Sequence, residues 1–132
     1  MAKSLFTHPI HLGLGARAVA QPEFTGFEWY QAYSERNAGD GAEGRLVSLW
    51  KFEEPWTSWE MHPKGDEVVC CIEGSMTLHQ QLADGTEQTV TLGPGDYAIN
   101  PPGAWHTADC EGPVTALFIT AGEGTTHRPR ED

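Results

Sequence analysis

The stretch SWEMHPKGDEVVCCIEG, residues 58–74, brings a Glu, a His and a second Glu together in close succession. On a strand, Glu60 and His62 face the same side, because side chains alternate between the two faces. The run PKGD (63–66) predicts a turn, and Glu67 then opens an apolar stretch that is typical of a strand. Two carboxylates and an imidazole this close indicate a metal site, a catalytic pair or a solvated strand edge.

A second stretch, GPGDYAINPPGAWHT (93–107), has the same character. Residues 93–95 predict a tight turn into a strand, residues 101–103 predict another turn, and His106 follows. A lone His in such a place is usually structural. Here, however, two turn-ordered segments each deliver a His or a carboxylate at the start of a strand, and that arrangement predicts a convergent site.

Short runs rich in β-branched and aromatic residues fill the rest of the chain, separated by turn signals rich in Gly, Pro and Asp. The predicted strands are 45–52, 67–72, 75–82, 87–92, 97–100 and 114–120. Asp84-Gly85 lies at the tip of a predicted hairpin. Evenly spaced short strands are typical of an all-β sandwich or barrel. The segment FTGFEWYQAYSE (24–35) is less legible, and it predicts either a strand or a covering segment.

Composition narrows the classes of partner. The chain has 132 residues, which is enough for one domain, and its net charge of −11 argues against nucleic acid and anionic membranes, since both need a basic face. No apolar run approaches the ~20 residues of a membrane span. Polar residues between positions 7 and 17 interrupt any signal-peptide core. We therefore expect a cytoplasmic protein with no membrane or nucleic-acid partner.

The three cysteines, Cys70, Cys71 and Cys110, form no CxxC motif. Adjacent residues on a strand point to opposite faces, so Cys70 and Cys71 cannot easily pair with each other. We expect buried, reduced thiols in an intracellular protein.

The spacings in the two stretches resemble the two motifs of the cupin superfamily. The first motif is commonly Gly, five residues, His-x-His, three or four residues, Glu, six residues and Gly. The second is Gly, five residues, Pro-x-Gly, two residues, His, three residues and Asn. The matching positions here are His62, Glu67, Gly74, Gly95, Pro101, Gly103 and His106. The resemblance implies an all-β, double-stranded β-helix (jelly-roll) cupin barrel.

Three positions depart from the family pattern. Glu60 stands where the first His would be, Glu54 stands where the leading Gly would be, and Cys110 replaces the closing Asn. The last position is loosely kept in the family, and Cys110 is expected to be a buried residue. The departure at Glu60 bears directly on function.

In the family, the equivalent positions bind a divalent metal inside the barrel. Carried over position by position, the resemblance implies a ligand set of Glu60, His62, Glu67 and His106. Two imidazoles and two carboxylates suit Fe, Mn, Ni or Zn better than Ca or Mg. Two alternatives stay open for Glu60, which could sit beside the metal as a catalytic base or, in a metal-free barrel, hydrogen-bond to a neighbouring His.

The resemblance implies a metal-dependent enzyme acting on a small organic molecule, of the dioxygenase or lyase/isomerase type. The alternatives are a non-catalytic barrel that binds or senses a small ligand, and a barrel with a vestigial site. Side chains near the motifs are candidates for the pocket lining. These candidates are Trp59, Cys71, Tyr97, Ile99 and Trp105.

We expect a single-domain protein in three parts, an N-terminal strand or covering segment (1–44), the cupin barrel (45–121) and a polar, frayed C-terminal tail (122–132). Small cupins commonly dimerise, and the apolar run FTGFEWY (24–30) could pack across a two-fold axis, so we expect a homodimer. The remaining histidines lie outside both motifs and are expected at the surface. They are His8, His11, His79 and His127.

Overall fold

The computed structural model describes residues 2–131, and over these residues the chain forms eleven β-strands and one α-helix. The strands are β1 (Ile10–Gly13), β2 (Arg17–Ala20), β3 (Arg45–Phe52), β4 (Ser58–Met61), β5 (Glu67–Glu73), β6 (Met76–Gln81), β7 (Glu87–Leu92), β8 (Tyr97–Asn100), β9 (Trp105–Cys110), β10 (Val114–Thr120) and β11 (Thr126–Pro129). The helix, α1, spans Glu28–Arg36. The prediction of an all-β fold is confirmed.

The strands of residues 2–131 form two sheets in which neighbouring strands run antiparallel. One sheet has the order β2-β1-β3-β10-β5-β8, and the other has the order β11-β4-β9-β6-β7. The chain crosses repeatedly from one sheet to the other, as in the expected double-stranded β-helix, or jelly roll. β6 and β7 form the predicted hairpin, which turns through Asp84 and Gly85.

The hydrophobic core lies between the sheets because alternate residues of each strand point inward. In β5, Val69 and Cys71 are fully buried, and Glu67 is on the same inward face. The core residues are Val69, Cys71, Met76, Leu78, Leu92, Ala108, Val114, Ala116 and Phe118. Strand alternation therefore carries the Glu67 carboxylate into the barrel interior, at the end of the strand that also builds the core.

The segment 24–35, for which the sequence predicted either a strand or a covering segment, contains most of α1. Trp29 is 5% exposed and donates a hydrogen bond from Nε1 to the Pro22 carbonyl at 3.1 Å. Phe24 packs edge-on against Trp50 of β3, with ring centroids 5.0 Å apart. Aromatic burial therefore fixes α1 over one end of the barrel, where it covers rather than extends the sheet.

The C-terminal segment is not a frayed tail. β11 pairs with β4, and His127 lies opposite Glu60 in the register. Arg130 donates hydrogen bonds to Asp109 Oδ1 at 2.8 Å and to the Trp56 carbonyl at 3.3 Å. The polar composition of this segment predicted disorder, and that prediction is wrong. The segment is ordered because its backbone groups form hydrogen bonds with β4, a strand that is distant in sequence. Asp132, the last residue of the predicted tail, lies outside the described residues.

Within residues 2–131, no helix is both long enough and apolar enough to cross a membrane.

The turn between β5 and β6 gives a test of the fold. Gly74 has φ +86°, and a Cβ there would lie 2.3 Å from the Pro113 carbonyl oxygen. We expect Gly74→Ala to lower the free energy of unfolding by about 3 kcal/mol or more, since backbone strain and a clash with backbone add. Gly85→Ala is the matched control, because Gly85 has φ +91° with open space around it. Urea denaturation that shows equal losses for both variants would contradict this packing.

Candidate metal centre

Four side chains that could hold a metal ion meet inside the barrel. Glu60 lies in β4, His62 directly follows β4, Glu67 begins β5 and His106 lies in β9. Glu60 and His106 are direct partners in the β4–β9 register. One ligand atom from each of the four lies within 4.8 Å of all the others. The structure therefore brings together all four residues that the sequence predicted as ligands.

The ligand atoms face one another at short range. His62 Nε2 lies 3.0 Å from Glu60 Oε1 and 3.2 Å from Glu67 Oε2, and His106 Nε2 lies 3.0 Å from Glu67 Oε1. His62, Glu67 and His106 are at most 4% exposed, whereas the Glu60 side chain is 29% exposed. Glu60 is therefore the candidate ligand on the open side of the cluster.

The orientation of the His62 ring is fixed by a contact with Thr125. Thr125 Oγ1 donates to the Gly122 carbonyl at 2.8 Å and lies 2.7 Å from His62 Nδ1. Because the hydroxyl proton is already used, we assign the donor role to His62 Nδ1, which leaves Nε2 as the ring nitrogen that faces the cluster. Among the described residues, Nε2 has no hydrogen-bond partner. A buried ring nitrogen that faces two carboxylates suits a positive charge, either a proton or a metal cation.

The Glu67 carboxylate is fixed by two donors from neighbouring strands. Asn100 Nδ2 donates to Oε1 at 3.0 Å, and the Thr120 hydroxyl donates to Oε2 at 2.7 Å. Gln80 in turn donates to Asn100 Oδ1 at 2.6 Å, which orients the amide. This buried chain of hydrogen bonds stabilises Glu67 as an anion and fixes both of its oxygens relative to the imidazoles.

Glu60 shares its two oxygens between different partners. Oε1 faces His62, while His127 Nε2 lies 3.0 Å from Oε2. His127 was expected to be a surface residue of a frayed tail, and it is 44% exposed, yet it contacts a candidate ligand. No spacing in the sequence could have revealed this contact, because it depends on the pairing of β11 with β4. The carboxylate thus offers one oxygen to the cluster.

The four groups set one another's charge. Burial raises the pKa of Glu60 and Glu67, but the facing imidazoles outweigh it and hold both pKa values well below their usual range. Burial lowers the pKa of His62 and His106, but the facing carboxylates raise both to about 9. Without a metal, the cluster therefore balances two carboxylates with two imidazolium protons, and a divalent cation could replace those protons.

A cavity of about 830 Å³ opens from the cluster, and Glu60, His62 and Glu67 lie in its wall. His106 is fully buried behind them. Much of the wall is aromatic, with contributions from Phe27, Tyr30, Trp50, Phe52, Trp56 and Phe118. A cavity of this size and lining suits a small organic molecule with an apolar body.

The five predicted pocket residues are not among those that line this cavity. Tyr97 and Ile99 are 63% and 49% exposed on the outward face of β8, and Cys71 is buried in the core. Trp59 and Trp105 flank the Arg128 guanidinium, at 5.4 and 4.4 Å from their ring centroids. Their neighbours in sequence, the candidate ligands Glu60 and His106, point inward, so strand alternation turns both tryptophans away.

The fold, the motif spacing and the convergent cluster agree with the comparison of the sequence with known families. A protein-family model, described as the cupin domain, matches residues 49–122. The chain belongs to the cupin family. No curated protein matches this cupin. Because the match covers both halves of the cluster, from Glu60 to His106, the candidate metal centre lies wholly within the cupin domain.

Solved structures support the same fold. A protein with a double-stranded β-helix domain from Klebsiella pneumoniae is 23% identical, with a TM-score of 0.52 over 67% of this chain and 76% of that one. The Bacillus subtilis oxalate decarboxylase, described with Mn(II) centres, is 19% identical, with a TM-score of 0.55 over 73% of this chain and 26% of that one. A hydroquinone 1,2-dioxygenase, described in complex with Cd2+ and 4-hydroxybenzonitrile, is 17% identical, with a TM-score of 0.52 over 58% and 56%. This cupin thus spans about half of the dioxygenase chain and a quarter of the decarboxylase chain.

Thr125 gives a test of how the cluster is oriented. We expect Thr125→Val to weaken metal binding by about 10–100-fold, because it removes the acceptor that fixes the His62 ring. Thr125→Ser retains the hydroxyl and should restore affinity, and Thr126→Val is a matched control at the next position, where β11 begins. Competition with a metal chelator measures the dissociation constants. Equal affinity for Thr125→Val and wild type would show that the ring needs no such support.

Metal binding should also depend on pH. The pKa values of His62 and His106 are raised to about 9, so both rings carry protons at neutral pH, while both carboxylates are already ionised. A cation must displace the imidazolium protons, so affinity should rise with pH up to about 9 and then level off. Titration in weakly buffered solution with a pH indicator should show about two protons released per metal at pH 7. Binding without proton release would contradict the charge balance.

Proposed function

We propose that this cupin is a metal-dependent enzyme acting on a small organic molecule, of the dioxygenase or lyase/isomerase type. The observation that supports the proposal is the position of the four-residue cluster, of which Glu60, His62 and Glu67 lie in the wall of a large, aromatic-lined cavity. A site that only stabilised the barrel would have no need of such a space. A buried cluster that borders a ligand-sized cavity is the arrangement that substrate chemistry requires.

The donor set favours a divalent transition metal. Two imidazole nitrogens and two carboxylate oxygens suit Fe, Mn, Ni or Zn, and the ligand charge of two carboxylates would neutralise the ion. The protons predicted on His62 and His106 occupy the place that the ion would take. The Mn(II) and Cd2+ in the descriptions of the two enzymes of similar fold support a divalent metal here.

When bound, such an ion would polarise an oxygen of the substrate as a Lewis acid. The chain's own residues would do the rest. The aromatic wall would exclude water and pack against the apolar part of the substrate. Glu67 is fixed by Asn100 and Thr120, so it would serve as a permanent anionic ligand. Glu60 has the most exposed side chain of the four, and we propose that it acts either as a ligand or as a base toward the substrate.

A non-catalytic binding or sensing barrel is the rival function, and it would use the same cavity. Retention of a ligand without turnover by the metal-loaded protein would favour it. The expected cytoplasmic location and the absence of a nucleic-acid partner remain predictions, for which fractionation of cells and a nucleic-acid binding assay are the direct tests.

We also propose a homodimer, on a surface other than the N-terminal run favoured by the sequence. The outward face of the six-stranded sheet exposes Ile72, Tyr97 and Ile99 at 47–63%. Their neighbours on that face in β5 and β8, such as Val68, are also uncharged. In a chain of net charge −11, a second copy offers an equally uncharged face and avoids like-charge contact. Light scattering should give twice 14.5 kDa, and Tyr97→Glu should halve that mass.

Metal content is the primary test of the proposed function. Purified protein, reconstituted with Fe, Mn, Ni or Zn, should hold about one ion per chain. His106→Ala should lose the ion, because it removes a fully buried ligand. His79→Ala is the control, since His79 pairs with Asp109 outside the cluster at 2.7 Å. Wild-type protein with less than about 0.1 ion per chain would sink the metal proposal.

Glu60→His separates the two roles of Glu60. If Glu60 is a ligand, a histidine there should retain or strengthen metal binding, because imidazole is a good donor for the same ions. Elemental analysis and turnover of a candidate substrate are measured on the same preparations. Loss of turnover with full metal content would assign Glu60 the role of a base instead.

A further inference from the structure

A second cluster of titratable side chains lies in the wall of the same cavity, outside the metal centre. His11 Nδ1 lies 2.6 Å from the Tyr33 hydroxyl, and His11 Nε2 lies 2.6 Å from Asp40 Oδ2. His11 is 1% exposed, although the sequence predicted a surface residue. Both His11 and Tyr33 line the cavity. Three titratable groups are therefore joined by two short contacts that end at the cavity wall.

The donors and acceptors of this chain can be assigned from Asp40. Its pKa is lowered, chiefly by the contact with His11, and Arg17 donates to its Oδ2 at 2.9 Å. An ionised carboxylate only accepts, so His11 Nε2 carries the proton toward it. With the ring proton on Nε2, Nδ1 can accept, and the Tyr33 hydroxyl donates to it. The Tyr33 oxygen therefore keeps its lone pairs available to a donor in the cavity.

The surroundings of Tyr33 define the kind of ligand that it would meet. Its ring stacks on Trp29 at 5.4 Å with an interplanar angle of 4°, which fixes the direction of the hydroxyl. Tyr30 lies one turn earlier on α1 and also lines the cavity, and burial together with the charges of Glu60 and Glu67 raises its pKa to about 12. One side of α1 thus links the metal centre to Tyr33, along a wall that is otherwise largely aromatic.

We propose that Tyr33 is a binding and proton-accepting residue for the hydroxyl group of an aromatic or enolic ligand, with His11 and Asp40 as its proton relay. The ligand hydroxyl donates to the Tyr33 oxygen. As its O–H bond breaks, the proton passes to Tyr33, the Tyr33 proton passes to His11 Nδ1, and the ligand is left as an oxyanion. The His11 imidazolium that forms is stabilised by Asp40, and Tyr33 ends neutral, as it began.

Electrostatics around the relay are consistent with this direction of transfer. Burial and the Asp40 charge raise the pKa of Tyr33 to about 12, while Arg36 lowers it in part, so Tyr33 keeps a proton and acts as a conduit. Arg17 is the other charged group that contacts the relay, through Asp40. The proposal deepens the proposed function, since it names a substrate class for that cavity, but it depends on residues that are not metal ligands.

A structural role is the competing explanation, because the same contacts tie β1 to α1. Two probes distinguish the explanations. 4-Nitrophenol carries the hydroxyl group and changes its visible absorption when it ionises, whereas nitrobenzene has a similar ring without that group. A structural staple would affect the binding of both probes equally. A hydroxyl acceptor would affect only the phenol.

The experiment measures both dissociation constants by quenching of tryptophan fluorescence, for the 132-residue chain with EDTA and again with added Zn. In wild type, 4-nitrophenol should bind about tenfold more tightly than nitrobenzene, the value of one hydrogen bond inside a cavity. Tyr33→Phe should abolish this difference and leave nitrobenzene binding unchanged. Tyr97→Phe is the matched control, because Tyr97 does not line the cavity and the change removes only a hydroxyl group.

Proton transfer to the relay is measured from the visible absorption spectrum of bound 4-nitrophenol. Wild type should shift the bound probe toward its phenolate at a pH where the free probe is largely protonated. Asp40→Asn should lose this shift while the preference for the phenol remains, which provides a second variant if Tyr33→Phe proves unstable. The proposal is overturned if neither probe binds at millimolar concentration, or if Tyr33→Phe weakens both probes alike. Because the EDTA arm contains no metal, failure of the metal proposal would leave a positive result for Tyr33 intact.

Discussion

The burial of ionisable groups is the constraint on which the rest of this structure depends. Glu67 and His106 are almost completely removed from water, and an isolated charge at either position would be strongly destabilising. The chain meets this constraint by placing two carboxylates and two imidazoles in contact and by surrounding Glu67 with side-chain donors. The same arrangement that makes the cluster tolerable without a metal also makes it a ready set of ligands, because protons and a cation compete for the same nitrogen and oxygen atoms.

The sequence predicted the parts of this site that depend on local spacing. Alternation along a strand placed Glu60 beside His62, and the turn after β4 brought Glu67 to the inward face of β5. The second stretch delivered His106 in the same way. These positions were predictable because a strand and a tight turn fix the direction of a side chain within a few residues.

The parts that were missed depend on pairing between distant segments. His127 and Thr125 contact the cluster only because β11 pairs with β4, and His11 meets Tyr33 only because α1 folds over β1. The prediction of the pocket residues was wrong for a related reason. Trp59 and Trp105 are adjacent in sequence to candidate ligands, but adjacency on a strand places a neighbour on the opposite face. Pocket residues are therefore predicted better from a shared face of the strand than from nearness to a candidate ligand in sequence.

The contact of β11 with the cluster has a consequence for how the protein is made. Thr125 lies 63 residues after His62, and His127 lies 67 residues after Glu60, so both contacts close long loops. Such contacts form late, since the entropy of loop closure must be offset by structure that is already in place. During synthesis, the barrel strands from β3 to β10 emerge before the segment that orients His62 and Glu60. The nascent chain therefore passes through a period in which the four candidate ligands are assembled while the residues that orient two of them are not yet in place.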